Sequence, residues 1–296
     1  MAITGSVARG DSGPGSDLDL WVIGDRSDRR SFVERGVPVT LLMQTPAQAR
    51  SFDSLCLYEI GDLIVLTDEG RHFQRVQRAF LKRRPQIRRA IVDATLEDLR
   101  FELEQSAVGS TWSRVMFLRA AGFRLCALWL FKRTGWRVPR IRTFRSELPP
   151  RARVALLRLL ALPKLSAAGV ARLPATIQRL DRWLKDAKAR GALSTRVFAE
   201  LPREVLHKWR AGEADDAMWL LRKQLTQQWL PPLLEARGAN DVANLDLADV
   251  PRGLRDLFVE CHGLQKVSPW DRRMTKRVSG QLYELAQALS LTPLLR

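Results

Sequence analysis

The sequence predicts an α+β protein in two parts: a small β-sheet domain with flanking helices over residues 1–84, then a larger all-α domain over 85–296. Three observations carry this reading. Short apolar runs separated by turn signals fill the first 70 residues, and helix-period patterns take over from about Arg71. The charge also changes sign: residues 1–70 hold 6 basic and 11 acidic side chains, a net of −5, whereas residues 71–296 hold 43 and 21, a net of +22.

Along the first part, Leu18, Leu20 and Val22 alternate with Asp17, Asp19 and Trp21, the period of a strand. Gly24 to Ser27 breaks it. Asp28 to Arg35 is expected to be a short amphipathic helix closed by Gly36. Val37 to Met43 is rich in β-branched residues and predicts a second strand, and Thr45-Pro46 opens a helix with Thr45 as its cap. Leu63 to Leu66 predicts a third strand, ended by the turn Asp68-Glu69-Gly70. Helices are then expected over 71–82, 86–106, 111–133, 150–162, 175–189, 214–235, 251–263 and 272–290, between Pro and Gly punctuation. Trp112, Trp129, Trp183, Trp219 and Trp229 fall inside them and are read as core.

Composition bounds the class. With 46% apolar and 27% charged residues the chain is globular rather than disordered. The longest apolar run, Met116 to Phe131, includes Arg119 and Arg124 and is too short to span a bilayer, so it predicts a buried helix. No secretory signal opens the chain, which implies a cytoplasmic address and no membrane partner. Cys56, Cys126 and Cys261 lack metal-ligand spacing and are read as buried thiols. The net charge of +17 suits phosphate-rich or acidic partners, or belongs to an arginine-rich surface with no partner.

The chemistry concentrates in Gly5 to Leu20, GSVARGDSGPGSDLDL. Asp17 and Asp19 lie two residues apart on a strand, so their carboxylates face one side, roughly 6.5 Å apart along the backbone. Two such carboxylates repel unless cations neutralise them, and an oxygen-only donor set suits Mg²⁺ or Mn²⁺. Upstream, Gly5 lets the backbone approach a ligand closely, and its amides with the Ser6 hydroxyl can hold phosphate oxygens. A phosphate cradle beside a metal pair is equipment for in-line phosphoryl transfer. Two decoys fail. A P-loop needs lysine where this chain has Asp11, and Leu18 and Leu20 between the acids exclude an EF-hand loop.

Gly5-Ser6, ten intervening residues, then Asp17-Leu18-Asp19-Leu20 resembles the signature of the DNA polymerase β-like nucleotidyltransferase superfamily, and Ala8-Arg9-Gly10 and Ser16 sharpen the likeness towards minimal and kanamycin nucleotidyltransferase-like proteins. The resemblance implies a small mixed sheet followed by helices. It also implies that Gly5, Ser6, Arg9 and Ser16 bind a nucleoside triphosphate, with ATP the expected one. Asp17 and Asp19 would bind Mg²⁺ and catalyse transfer of a nucleoside monophosphate to a hydroxyl of a small molecule, protein or RNA. The chain departs from the pattern twice. The family supplies a third carboxylate from the next strand, where this chain has Thr40, so the base would be Glu34 or a carboxylate of the helical domain. Only four residues precede Gly5, where relatives have a helix and a full strand, which reads either as a start lying upstream or as a degraded copy.

Phe123 to Leu148 resembles loosely the acceptor-side helix and loop of such transferases, with Lys132, Arg137, Arg140 and Arg142 as candidate triphosphate contacts. Arg71 to Arg100 is a second basic stretch, suited to nucleic acid or an acidic partner. His72, His207 and His262 have no catalytic partner in sequence, and the Arg255–His262 spacing of helical RNases is of a kind that chance supplies in an arginine-rich chain. Beside the enzyme stand two alternatives: a catalytically degenerate nucleotide- or partner-binding regulatory protein, and a nucleic-acid-binding protein.

Overall fold

The computed structural model describes residues 1–10, 12–51, 60–108, 110–134, 139–161, 201–224 and 271–295, with isolated positions between 175 and 262. It forms two compact units. The first holds Met1–Ile91 with Arg210–Gly212, the second Val92–Trp209 with Glu213–Arg296. A mixed five-stranded sheet with helices precedes a mostly helical region, an α+β arrangement.

The sheet comprises β1 (Ala2–Thr4), β2 (Leu18–Ile23), β3 (Asp28–Glu34), β4 (Val37–Gln44) and β5 (Ile64–Val65), in the order β3-β4-β2-β1-β5. Only β2 and β4 pair in parallel among these neighbours; the other pairs are antiparallel. A four-residue helical turn, α1 (Gly5–Ala8), follows β1 directly.

The segment expected to be a helix, Asp28 to Arg35, is strand β3. The cause is Arg35-Gly36, with φ of 48° and 81°, which closes a hairpin pairing Glu34 with Val37. A two-residue loop with both residues at positive φ is the turn whose twist matches the flanking strands. Gly36 therefore ends a hairpin rather than a helix. As an edge strand β3 leaves Phe32 and Val33 exposed, and Arg29 and Arg30 place charge on that edge.

Helix α2 (Pro46–Ser51) starts as expected: the Gln48 amide donates to Thr45 Oγ1 at 3.4 Å and the Thr45 amide to Gln48 Oε1 at 3.0 Å, a reciprocal cap. Residues 71–106, expected as two helices, are mostly one, α3 (His72–Ala107), with Pro85 inside. Asp68 caps it, accepting from the Phe73 and Gln74 amides. Proline removes one backbone donor from the ladder, but the Leu81 residue whose carbonyl loses it is exposed, so water can replace it. Phe73 packs edge-to-face on Trp21 with ring centroids 5.4 Å apart, joining α3 to the sheet.

The second unit centres on α4 (Thr111–Thr134), whose residues are buried on nearly every side, as the apolar run predicts. Around it lie α5 (Ile141–Glu147), α6 (Pro150–Leu160), α7 (Leu201–Arg210), α8 (Ala214–Gln224) and α9 (Arg272–Ala288), of which the sequence revealed neither α5 nor α7. α9 packs on both α4 and α6. At Gly122 the Leu159 side chain of α6 packs close on α4: a Cβ there would sit 2.2 Å from Leu159 Cδ2. Helix α6 stops at Leu160 because Ala161 turns left-handed, at φ 43°. Cys126 is a buried free thiol, as read, whereas Trp112, Trp129 and Trp219, read as core, are half-buried, Trp219 stacking on Phe123 at 4.6 Å. Cys56, Cys261, Trp183, Trp229, Arg137, most of the helices expected at 175–189 and 251–263, and the part beyond Gln224 of the helix expected at 214–235 lie outside the described residues. Among the described residues, no helix is long and apolar enough to cross a membrane.

Candidate active site

β1 delivers the chain into α1 through Gly5, whose φ is +70°. That left-handed conformation is strained for any residue with a Cβ. A second constraint coincides: a Cβ on Gly5 would lie 2.2 Å from Asp19 Oδ2. The Gly5 backbone thus packs directly against the Asp19 carboxylate on β2. This contact joins the two ends of the motif, fourteen residues apart in sequence.

Ser6 follows at zero exposure, and its Oγ has no hydrogen-bond partner among the described residues. A buried hydroxyl without a partner costs on the order of 1–3 kcal/mol and leaves a donor and acceptor open at this turn. Arg9 ends α1, donating its amide to the Gly5 carbonyl at 3.2 Å, and its guanidinium nitrogens are buried. Gly10, at φ 69°, turns the chain outward. Ser16 closes the loop from inside: its Oγ accepts from the Gly13 amide at 2.9 Å, and its own amide donates to the Gly13 carbonyl at 3.0 Å. Asp17 and Asp19 follow, both half-buried.

The register extends the site across the sheet. Asp19 is the Cα partner of Thr4 on β1 and of Thr40 on β4, and Thr40 in turn faces Ser31 on β3. Directly paired residues share a face, so Thr4, Asp19, Thr40 and Ser31 make one polar row. Trp21 lies on the same face of β2 as Asp19 by the two-residue period and is buried under Phe73, whereas Asp17, expected on the same strand, immediately precedes β2. Thr4 and Ser31 carry no signal in the sequence, because only strand register brings them beside Asp19. Glu34 is at the hairpin tip opposite Val37, three residue steps from the row of Thr40, or ~10 Å along β3. That distance removes it as a base beside Asp19.

The donor set fits a hard divalent cation in kind but is sparse. The carboxylates of Asp17 and Asp19 and the hydroxyls of Thr4, Thr40 and Ser31 offer oxygen only, as Mg²⁺ prefers. Among the described residues, no group of three or more His, Cys, Asp or Glu side chains forms a metal-binding cluster. Residues 1–70 also carry net −5, so a polyanionic nucleotide would be repelled here without cations to neutralise it.

The basic candidates of the helical unit fare differently. Lys132 is exposed near the end of α4, and Arg140 is half-buried just before α5. Arg142 is paired with Glu213, Nη1 to Oε1 at 3.5 Å. His262 is fully buried, and that burial, with Arg222 and Arg119 nearby, holds its imidazole well below the usual range, so it is neutral. A solvent-shielded neutral histidine of this kind is a core group.

Residues 1–95 match the family model described as Nucleotidyltransferase domain. No curated protein and no solved structure matches the chain. Over the matched residues the chain is similar to the nucleotidyltransferase superfamily, and the match supports nucleotidyl transfer as the general chemistry of this region.

Proposed function

We propose that the chain is a metal-dependent nucleotidyltransferase that moves AMP from ATP onto an acceptor hydroxyl, with residues 1–84 as the transferase domain and 85–296 as the part that presents the acceptor. One observation carries the reading: the Gly5 backbone packs on the Asp19 carboxylate, beside a Ser6 hydroxyl that is buried without a partner. The family match over the same residues supports it. A cytoplasmic address belongs to the same proposal.

In this reading Gly5, Ser6, Arg9 and Ser16 bind the triphosphate. Ser6 Oγ donates its hydrogen bond to a phosphate oxygen, and the Arg9 guanidinium faces the phosphate charge. Asp17 and Asp19 would hold Mg²⁺, which supplies charge neutralisation and alignment of the attacking and leaving oxygens. The acceptor oxygen bonds to the α-phosphorus, the bond to pyrophosphate breaks, and the acceptor proton must pass to a base. Thr40 stands beside Asp19 where the family pattern has its third carboxylate, and a threonine hydroxyl is no base at neutral pH. That substitution favours a second reading, a degenerate transferase fold that binds nucleotide or a partner without turning it over.

Calorimetry of ATP binding with and without Mg²⁺, on wild type and Asp17→Ala/Asp19→Ala, separates these readings when joined to a pyrophosphate-release assay with cell extract as acceptor source. Mg²⁺-dependent binding that needs the aspartates, with release only by wild type, supports the transferase. Binding without release points to the degenerate reading, with Thr40→Asp as the next variant. Absence of binding would sink both.

A further inference from the structure

We propose that the first half of α3 is a docking surface for the phosphate backbone of a double-stranded nucleic acid, through a stripe formed by Arg75, Arg78, Lys82 and Arg89. Between His72 and Ile91 the helix carries seven basic residues and no acidic one, and Arg75, Arg78, Lys82, Arg83, Arg84, Arg88 and Arg89 are exposed or nearly so.

Their placement is ordered. At about 100° per residue, Arg75, Arg78, Lys82 and Arg89 fall within a sector about 60° wide, and at 1.5 Å per residue they span about 21 Å of helix. The buried residues Phe73, Val76, Phe80 and Ile87 fall on the opposite side. The stripe therefore points directly away from the core. Among the described residues none of its four members joins an ion pair. Isolated, this arrangement is unfavourable: the pairs Arg75/Arg78 and Arg78/Lys82 are like-charge neighbours, each costing a few tenths of a kcal/mol, ~0.2–0.5. A facing row of phosphates turns that repulsion into attraction.

The physical details select the partner. A basic amphipathic helix can lie in a membrane surface, but only by burying its apolar face in lipid, and here that face is already covered. Single-stranded nucleic acid is held by basic grooves interleaved with aromatic stacking platforms, and the exposed residues from Gln74 to Ala90 include no aromatic. A straight row of cations without stacking groups matches phosphate positioning on a duplex, free of sequence readout.

Fluorescence anisotropy of a labelled 20-base-pair duplex against the full chain, titrated from 50 to 300 mM KCl, tests the proposal. Wild type should bind with Kd on the order of 10⁻⁶–10⁻⁴ M, with a steep salt dependence. Arg75→Gln/Arg78→Gln/Lys82→Gln/Arg89→Gln should weaken binding at least tenfold and reduce the log–log salt slope by ~3, since each neutralised phosphate contributes ~0.9 to it. The half sets Arg75→Gln/Arg78→Gln and Lys82→Gln/Arg89→Gln should each remove about half of that slope change, which a misfolded variant would not do. Arg151→Gln/Arg272→Gln/Arg273→Gln/Lys276→Gln removes the same charge from exposed sites elsewhere and should leave the slope nearly intact. Asp17→Ala/Asp19→Ala should bind the duplex as wild type does, so this test is independent of the transferase reading. Equal losses in the stripe and control sets, no duplex binding, or polyglutamate competing as well as duplex at equal charge would each overturn the assignment.

Discussion

In the helical unit, Arg119 and Arg222 are each 3% exposed, yet their donors are used. Arg119 donates to the Leu159 and His262 carbonyls at 3.1 and 2.7 Å, and Arg222 to the Leu160 and Ala161 carbonyls. The carbonyls at the end of α6 lack partners within the helix, and two guanidinium groups supply them. In the sheet unit, the Ser6 hydroxyl is buried as deeply and its Oγ has no partner among the described residues. It sits in the turn whose Gly5 packs on the Asp19 carboxylate. The difference separates two kinds of buried polar group. One closes a helix end and explains itself, while the other has its hydroxyl unused among the described residues.

The largest expected effect belongs to Glu102, a helical group that, like His207 with its unpartnered Nε2, breaks this pattern among the described residues. It is 5% exposed, bonded through Oε1 to Arg124 Nε at 3.2 Å, with Oε2 unpartnered among the described residues. Desolvation raises its pKa from 4.5 to about 7 against the pull of Arg124. The unfolded chain gives up this proton first, so stability falls as pH rises from about 4.5 to about 7 and stays low above that range. Glu102→Gln should flatten this fall and raise stability at pH 8 by up to ~3 kcal/mol, read from urea midpoints across that range. An unchanged pH profile would place Glu102 with the satisfied groups.

Gly5→Ala tests the other side of the comparison. It forces a Cβ into left-handed backbone and into the Asp19 carboxylate, and should cost ~2 kcal/mol in stability as well as at least tenfold in Mg²⁺-dependent ATP affinity. Loss of stability with ATP affinity intact would make the turn merely structural. Gly122→Ala makes an equally short contact, 2.2 Å to Leu159 Cδ2, but against a side chain able to move. It should cost ~1–2 kcal/mol in thermal unfolding and leave nucleotide affinity unchanged. Thr45→Ala, which removes half of a reciprocal cap, should cost ~1 kcal/mol and nothing in binding.

The sequence by itself determined the parts of this protein whose physics is local. The period of Leu18 to Ile23, the β-branched run from Val37, the cap at Thr45 and the apolar stretch in α4 each state their structure within a few residues. The Gly5-Ser6 to Asp17/Asp19 spacing is legible for the same reason: glycine, hydroxyl and paired carboxylates are chemically distinctive wherever they fold. The Arg35-Gly36 hairpin was misread because a closing glycine serves a helix end and a tight turn alike, and only pairing with β4 separates them. The helices expected at 71–82 and 86–106 are mostly the single α3, since the effect of a proline such as Pro85 on a helix depends on whether water reaches the freed carbonyl. Tertiary structure alone decided the row of Thr4, Asp19, Thr40 and Ser31, the contact of Gly5 with Asp19 and the pairing of Arg142 with Glu213. Each depends on strand register or helix packing, which are set by burial summed over the whole core and have no counterpart in any short stretch of sequence.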